Sequence, residues 1–311
     1  MSRRPQVCLT GALLTALLLA GCAPTGGTEG TTPTSSAAAS AGTTAGTTAA
    51  PPVVIDGLGL EILQNRPDYG NRMLQLSITN EGDTALTVTA ATFSSPQFEA
   101  PSEWVKTTEV PPGLTRHLPV QLGTAICPAP ATTPTLTVTV VDASGTSRIV
   151  TGRPSDPFGV LERIAGEDCL DDAVAAVAAL RLDDTLEVTG TGADSVAHLT
   201  VHVDPSMGSG ELHLEEARST ILLSPTEGDT WPLDRTITGG DSPQTLSVAA
   251  VPARCDPHAI AEDKRGTYIP ISVTITDGPA GTVYLRSSDQ LRLAIYDYLA
   301  ATCGFAVPSS G

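Results

Sequence analysis

The chain of 311 residues carries 17 basic against 34 acidic side chains, a formal net charge of −17, and only 4% of its residues are aromatic. This balance excludes nucleic acid and anionic membrane surfaces as partners, because both require a basic footprint. The length leaves room for two domains of ordinary size.

Arg3 and Arg4 precede a largely apolar run, Ala12 to Ala20, that ends at Leu19-Ala20-Gly21-Cys22. A short positive region, an apolar stretch too short to span a bilayer, and small residues before a cysteine are the parts of an export signal. The Leu-Ala-Gly-Cys ending resembles the lipobox of bacterial lipoproteins. That resemblance implies a signal peptide over residues 1–21, cleavage before Cys22, and a diacylglyceryl group (palmitate-type chains) on the Cys22 sulfur. Two or more acyl chains on one residue give lasting attachment where a single chain does not. The expected location is the cell membrane, with the protein lipid-anchored on its extracytoplasmic face and the bilayer a partner through acylated Cys22. No later apolar run approaches the ~18 residues of a membrane span.

Residues 22–52 are nearly all Ala, Thr, Gly, Ser and Pro, with Glu29 the only charge. Such a run cannot bury enough apolar surface to offset its ordering entropy and reads as a flexible tether. From Val53 the texture changes. Met73 to Thr79 alternates, with Leu74, Leu76 and Ile78 on one face; a turn follows at Asn80-Glu81-Gly82-Asp83, then Leu86-Thr87-Val88. Leu136 to Val140 repeats the pattern before Asp142-Ala143-Ser144-Gly145. Period-two runs bounded by turn residues at this spacing predict an all-β fold of Ig-like antiparallel sandwiches.

An internal repeat organises the rest. Trp104 precedes Cys127 as Trp231 precedes Cys255, and each cysteine is soon followed by proline, Pro128 or Pro257. A Thr/Val-rich strand, a glycine turn, a second strand, Ser-Asp (Ser155-Asp156; Ser288-Asp289) and a final cysteine then follow in both copies. Two tandem domains are expected, 53–170 and 171–311.

Four cysteines remain after Cys8 and Cys22, an even count that favours disulfides in an exported protein. Four cysteines allow three connectivities, and the repeat selects the one within copies: Cys127 with Cys169, and Cys255 with Cys303. No Cys-x-x-Cys pair supports a metal site. Before each final cysteine the period becomes helical. Leu291, Ile295, Tyr298 and Leu299 form one stripe, with Ser287 as the expected cap and Gly304 as the stop. In the first copy Ser155 is the expected cap, with Val160, Leu161 and Ile164 the stripe. Each sandwich is thus expected to end in a short disulfide-tethered helix. Leu170 to Leu180 reads as a short connector leading to a strand over Arg181 to Val188.

The clearest departure from symmetry follows Cys255. Where the first copy has only Pro, Ala and Thr between Cys127 and Thr135, the second has a longer loop, Asp256 to Thr267. This loop concentrates His258, Glu262, Asp263, Lys264 and Arg265, and Lys264 is one of only two lysines in the chain. The stretch Cys-Asp-Pro-His-Ala-x-Ala-Glu-Asp-Lys-Arg-Gly-Thr, within Arg254 to Phe305, resembles uncharacterised surface lipoproteins of actinobacteria, a resemblance that implies no activity. These five side chains are the candidate binding residues. They have two readings, a ligand or partner site and a salt-linked loop pinned to the sandwich. His198, His202 and His213, and the acidic pairs Asp171-Asp172 and Asp183-Asp184, read as solvated faces. No Gly-x-Ser-x-Gly or His-Glu-x-x-His motif is present.

The expectation is therefore a lipid-anchored cell-surface protein, a non-enzymatic binding or scaffold module with no catalytic residues, metal or cofactor. A cell-wall component or another protein is the partner class. A ligand-binding accessory lipoprotein for transport or cell-wall assembly is the alternative, and an exported enzyme the third reading.

Overall fold

A computed structural model describes residues 53–131, 133–261, 263 and 265–305. The leader, Cys22 and the tether lie outside the described residues. In chain order the first repeat contributes β1 (Val53–Ile55), β2 (Leu58–Leu63), β3 (Met73–Asn80), β4 (Leu86–Ser94), β5 (Ser102–Trp104), β6 (Thr108–Val110), β7 (Thr115–Gln121), β8 (Thr135–Val141) and β9 (Ser147–Gly152). One sheet runs β1-β2-β3-β7 and the other β5-β4-β8-β9, with β6 also paired to β4. Helix α1 (Val160–Val177) follows. The second repeat holds β10 (Ala178–Leu182), β11 (Glu187–Thr189), β12 (Val196–Pro205), β13 (Glu211–Arg218), β14 (Leu223–Pro225), β15 (Thr230–Thr238), β16 (Gln244–Pro252), α2 (Pro257–Ala261), β17 (Ile269–Ile275), β18 (Ala280–Leu285) and α3 (Asp289–Cys303). Its sheets run β10-β12-β16-β14 and β15-β13-β17-β18, with β11 also on β12.

The two copies correspond strand for strand in order: β2-β3-β7 answers β10-β12-β16, and β4-β8-β9 answers β13-β17-β18. All pairings among these strands are antiparallel, and the chain crosses between two facing sheets as in Ig-like sandwiches. The alternation that marked β3 places Leu74, Leu76 and Ile78 fully inside, and β12 does the same with Leu199, Val201 and Val203. Between β3 and β4 the chain changes sheets at Asn80, which is itself fully buried. Its side-chain amide donates to the carbonyls of Thr84 and Val110 at 2.8 and 2.9 Å and its oxygen accepts from Gly82, so the corner leaves no buried amide unpaired.

The repeat extends to an irregularity. Register slips between Val88 and Ala90 in β4, and between Leu214 and Glu216 in β13. Just past each slip an alanine faces a tryptophan across the ladder: Ala91 opposite Trp104, Ala217 opposite Trp231. All four side chains are buried, and only a methyl group leaves space for an indole there.

Two disulfides close the copies, Cys127–Cys169 and Cys255–Cys303, at sequence separations of 42 and 48. Each joins a helix to the segment ahead of a late strand. The helix starts differ from expectation by one residue. Asp156, not Ser155, caps α1 by accepting from the Val160 and Leu161 amides, while Ser155 donates to Glu61. Ser288, not Ser287, caps α3 through the Leu291 amide, and Ser287 instead bonds Thr267 in the interior.

The expected connector after Leu170 is helix. α1 continues to Val177 and passes straight into β10 at Ala178. Alanine-rich sequence favours a helix, and Leu170, Val174 and Val177 at helical spacing supply a buried stripe. The stripe serves two cores: Val160, Leu161, Ile164 and Ala165 pack into the first sandwich, and Leu170, Val174 and Val177 into the second. The strand expected over Arg181 to Val188 is broken after Leu182, where Asp183 accepts from the Thr185 amide and hydroxyl and forms a local turn. The described residues from 53 to 305 fall in one compact unit, so both sandwiches belong to a single body.

Candidate functional site

The loop that breaks the repeat builds one wall of a cleft between the sandwiches. After α2, Asp263 accepts from the Arg265 and Gly266 amides and receives a hydrogen bond from the Tyr296 hydroxyl at 2.9 Å. Burial and the adjoining Asp263 carboxylate push the Tyr296 phenol well above its usual range, so it stays protonated and donating. The Gly266 carbonyl accepts from Thr220 at 2.6 Å, and the Thr267 hydroxyl meets Ser287 at 2.7 Å. Gly266 is required by close approach: an added methyl would sit 2.7 Å from Ile221 and 2.8 Å from Leu222. The charged loop is thereby pinned to its own sandwich by hydrogen bonds, where its sequence predicts salt links, and the Asp263 carboxylate is committed to the loop backbone and to α3.

Arg265 is not spent in this way. Its guanidinium lies 4.1 Å from the centre of the Tyr284 ring and 5.9 Å from those of Tyr69 and Tyr268. Tyr69 comes from the other sandwich, on the 3-10 turn Arg66–Asn71 before β3. Arg163 of α1 covers the same Tyr69 ring at 4.7 Å, and Arg286 stands 5.3 Å from the Tyr268 ring while donating to the Gly70 carbonyl. The turn is held by Asp68, which accepts from the Asn65 amide and the Gln75 side chain, and by Arg72, which is ion-paired to Asp168 of α1. Burial raises the Asp168 carboxyl, opposed by Arg72.

The resulting cleft has a volume of about 430 Å³. Arg66 and Tyr69 line it from the first sandwich; Asp263, Arg265, Tyr268, Tyr284 and the segment 219–221 line it from the second. Three of the five tyrosines in the chain meet here. Arg163 is paired with Glu167 at 3.1 Å. Among the described residues no carboxylate forms a salt bridge with Arg66, Arg265 or Arg286. In a molecule of net charge −17, this is a local concentration of positive charge on an aromatic surface.

Of the residues singled out from sequence, Arg265 and Asp263 both line the cleft. His258 sits exposed on α2 away from the cleft lining, its amide donating to Asp256. Glu262 and Lys264 lie outside the described residues. Tyr69, Tyr268, Tyr284, Arg66 and Arg286 were not singled out. The only hint of them was the scarcity of aromatics, against which Tyr268, just beyond Arg265-Gly266-Thr267, stands out.

The histidines are dispersed. His202 bonds Asp183 at 2.8 Å and His198 bonds Thr189 at 3.0 Å. His213, which a β12–β13 hairpin would have brought near His202, lies in the opposite sheet beside Thr236, because those strands belong to different sheets. Among the described residues, no group of three or more His, Cys, Asp or Glu side chains is arranged to hold a metal ion. Asp171 and Asp172 are exposed on α1, apart from the Asp183 turn.

No protein-family model matches the chain, and no curated protein matches it. Among solved structures, an Amycolatopsis orientalis exo-chitosanase aligns at 14% identity over 73% of this chain and 26% of its own, with a TM-score of 0.18. Red sea bream transglutaminase aligns at 9% identity over 76% of this chain and 32% of its own, TM-score 0.20. The calcium-binding domain CBD12 of CALX1.1 aligns at 10% identity over 74% and 87%, TM-score 0.20. The chain thus spans about a quarter and a third of the lengths of the first two. Similarity at this level carries nothing about activity.

Proposed function

We propose that this protein is a lipid-anchored binding module of the extracytoplasmic membrane face, and that it holds a small ligand, without catalysis, in the cleft between its sandwiches. One observation carries the choice of a ligand cleft over a flat scaffold surface: Arg265 is stacked among tyrosines from both copies, in a concavity of about 430 Å³. Concave, largely apolar sites with a few convergent polar groups are the usual form of small-ligand pockets. The location rests on Cys22 and the leader, and the role of an accessory protein in transport or cell-wall assembly follows from combining an outward-held cleft with an anchor.

Thermal-shift screening of the purified soluble part against extracytoplasmic small molecules tests the cleft. Compounds that raise the melting temperature of the wild type but not of Arg265→Ala support it. Stabilisation that is indifferent to Arg265, Tyr69 and Tyr284 overturns it. The anchor is tested separately by fractionating cells that carry Cys22→Ala, for which release from the membrane fraction is expected and retention contradicts acylation.

A further inference from the structure

We infer that the cleft is built for an acidic saccharide, a sugar ring bearing a carboxylate. This inference rests on the cleft being a ligand site and goes further by naming the ligand class. The face of the Arg265 guanidinium is covered by Tyr284 at 4.1 Å, so its N–H edges remain the recognising part. Those N–H groups have no hydrogen-bond partner among the described residues, where only the Arg265 backbone amide is bonded. A planar fork of this kind matches a carboxylate through two parallel hydrogen bonds. Asp263 also lines the cleft, but its carboxylate is committed to the Arg265 and Gly266 amides and the Tyr296 hydroxyl.

The rest of the lining separates a sugar acid from other anions. Tyr69, Tyr268, Tyr284 and Ser219 line the same space, and none of their hydroxyls is bonded to a described residue. Four uncommitted hydroxyls beside one fork call for a ligand with many hydroxyls and one acid group. A bare inorganic anion would leave most of those hydroxyls unmatched. An aromatic acid would leave the hydroxyls unmatched, and unmatched polar groups cost affinity.

Titration calorimetry and amide chemical-shift mapping on residues 53–311 with D-glucuronate, its methyl ester and acetate test the inference. Glucuronate is expected to bind and to shift amides around Arg265 and Tyr268. Loss of the ester's charge, and separately Arg265→Ala, should each weaken binding about tenfold or more, in keeping with a charge-assisted pair. Tyr284→Leu, which keeps the charge and removes the ring face, should weaken it as well. Equal binding of acid and ester overturns the carboxylate fork. Acetate binding as well as glucuronate overturns the saccharide while leaving an anion site. Absence of binding by all three overturns the ligand class, and the cleft is then judged by the screen above. Circular dichroism of each variant establishes that it is folded.

Discussion

Trp231 lies directly across the β13–β15 ladder from Ala217, in the position that Trp104 holds opposite Ala91 in the first copy. Each pair follows a one-residue slip in the same strand of its sandwich, so the duplication preserved a local distortion together with the side chains that need it. A bulge of this kind re-aims the next side chain, and here it sets an alanine beneath an indole. Ala217→Val and Ala91→Val are therefore expected to overpack, each costing ~1–3 kcal/mol in urea unfolding. Because these are the only two tryptophans, Trp104→Phe and Trp231→Phe leave single reporters. The fluorescence of each should then follow its own sandwich.

The two disulfides close segments of similar length, 42 and 48 residues, in separate copies. Chain-entropy reasoning assigns each a stabilisation of roughly 4 kcal/mol. Replacing either pair with serine should lower the urea midpoint by a similar amount, and peptide mapping without reduction should recover Cys127 with Cys169 and Cys255 with Cys303. Unequal losses would show that the helices contribute unequally.

Asp263 and Gly266 are expected to be the loop's least replaceable residues. Asp263→Ala leaves two backbone amides and the Tyr296 hydroxyl without their acceptor, a loss of ~1–3 kcal/mol. Gly266→Ala drives a methyl into Ile221 and Leu222. Both variants should raise amide exchange over residues 256–268 while leaving the first sandwich protected. Tyr296→Phe should give a milder version of the same pattern.

Acid stability should depend on Asp183. Hydrogen bonds from Thr185, and then from His202, hold its carboxyl below the usual range in the folded protein. A depressed carboxyl contributes stability above the unfolded value of ~3.9 and loses it as pH falls through the folded value. Asp183→Asn should lower stability near neutrality, where the contribution of the carboxylate is fully present, and flatten the fall in stability below pH ~4. Chemical denaturation across that range measures it.

Much of the architecture was legible because it is written in short-range pattern. Alternation gave β3 and β8, and helical spacing of Leu291, Ile295 and Tyr298 gave α3. The repeat paired the cysteines within copies, as the bonds are found. What failed to show depended on choices between neighbours or on the third dimension. Ser155 and Asp156 are both competent caps, and only the turn geometry at Gly159 decides between them. The stripe of α1 was cut short because Leu170, Val174 and Val177 face a different core from Val160 and Ile164, which no periodicity can announce. The cleft was half visible. Arg265 was conspicuous as a charge, but Tyr69 joins it from about 200 positions earlier in the sequence, a distance bridged only when the helix between the sandwiches sets them side by side.

That helix also bears on how such a protein can change. Because α1 gives its first turns to one interior and its last to the other, no residue between Val160 and Val177 offers a clean place to part the halves. Exchanging either half for a foreign sandwich would have to bring a matching half-helix with it. The duplicated halves are therefore coupled through one helix, and with them the seam where Tyr69 meets Arg265.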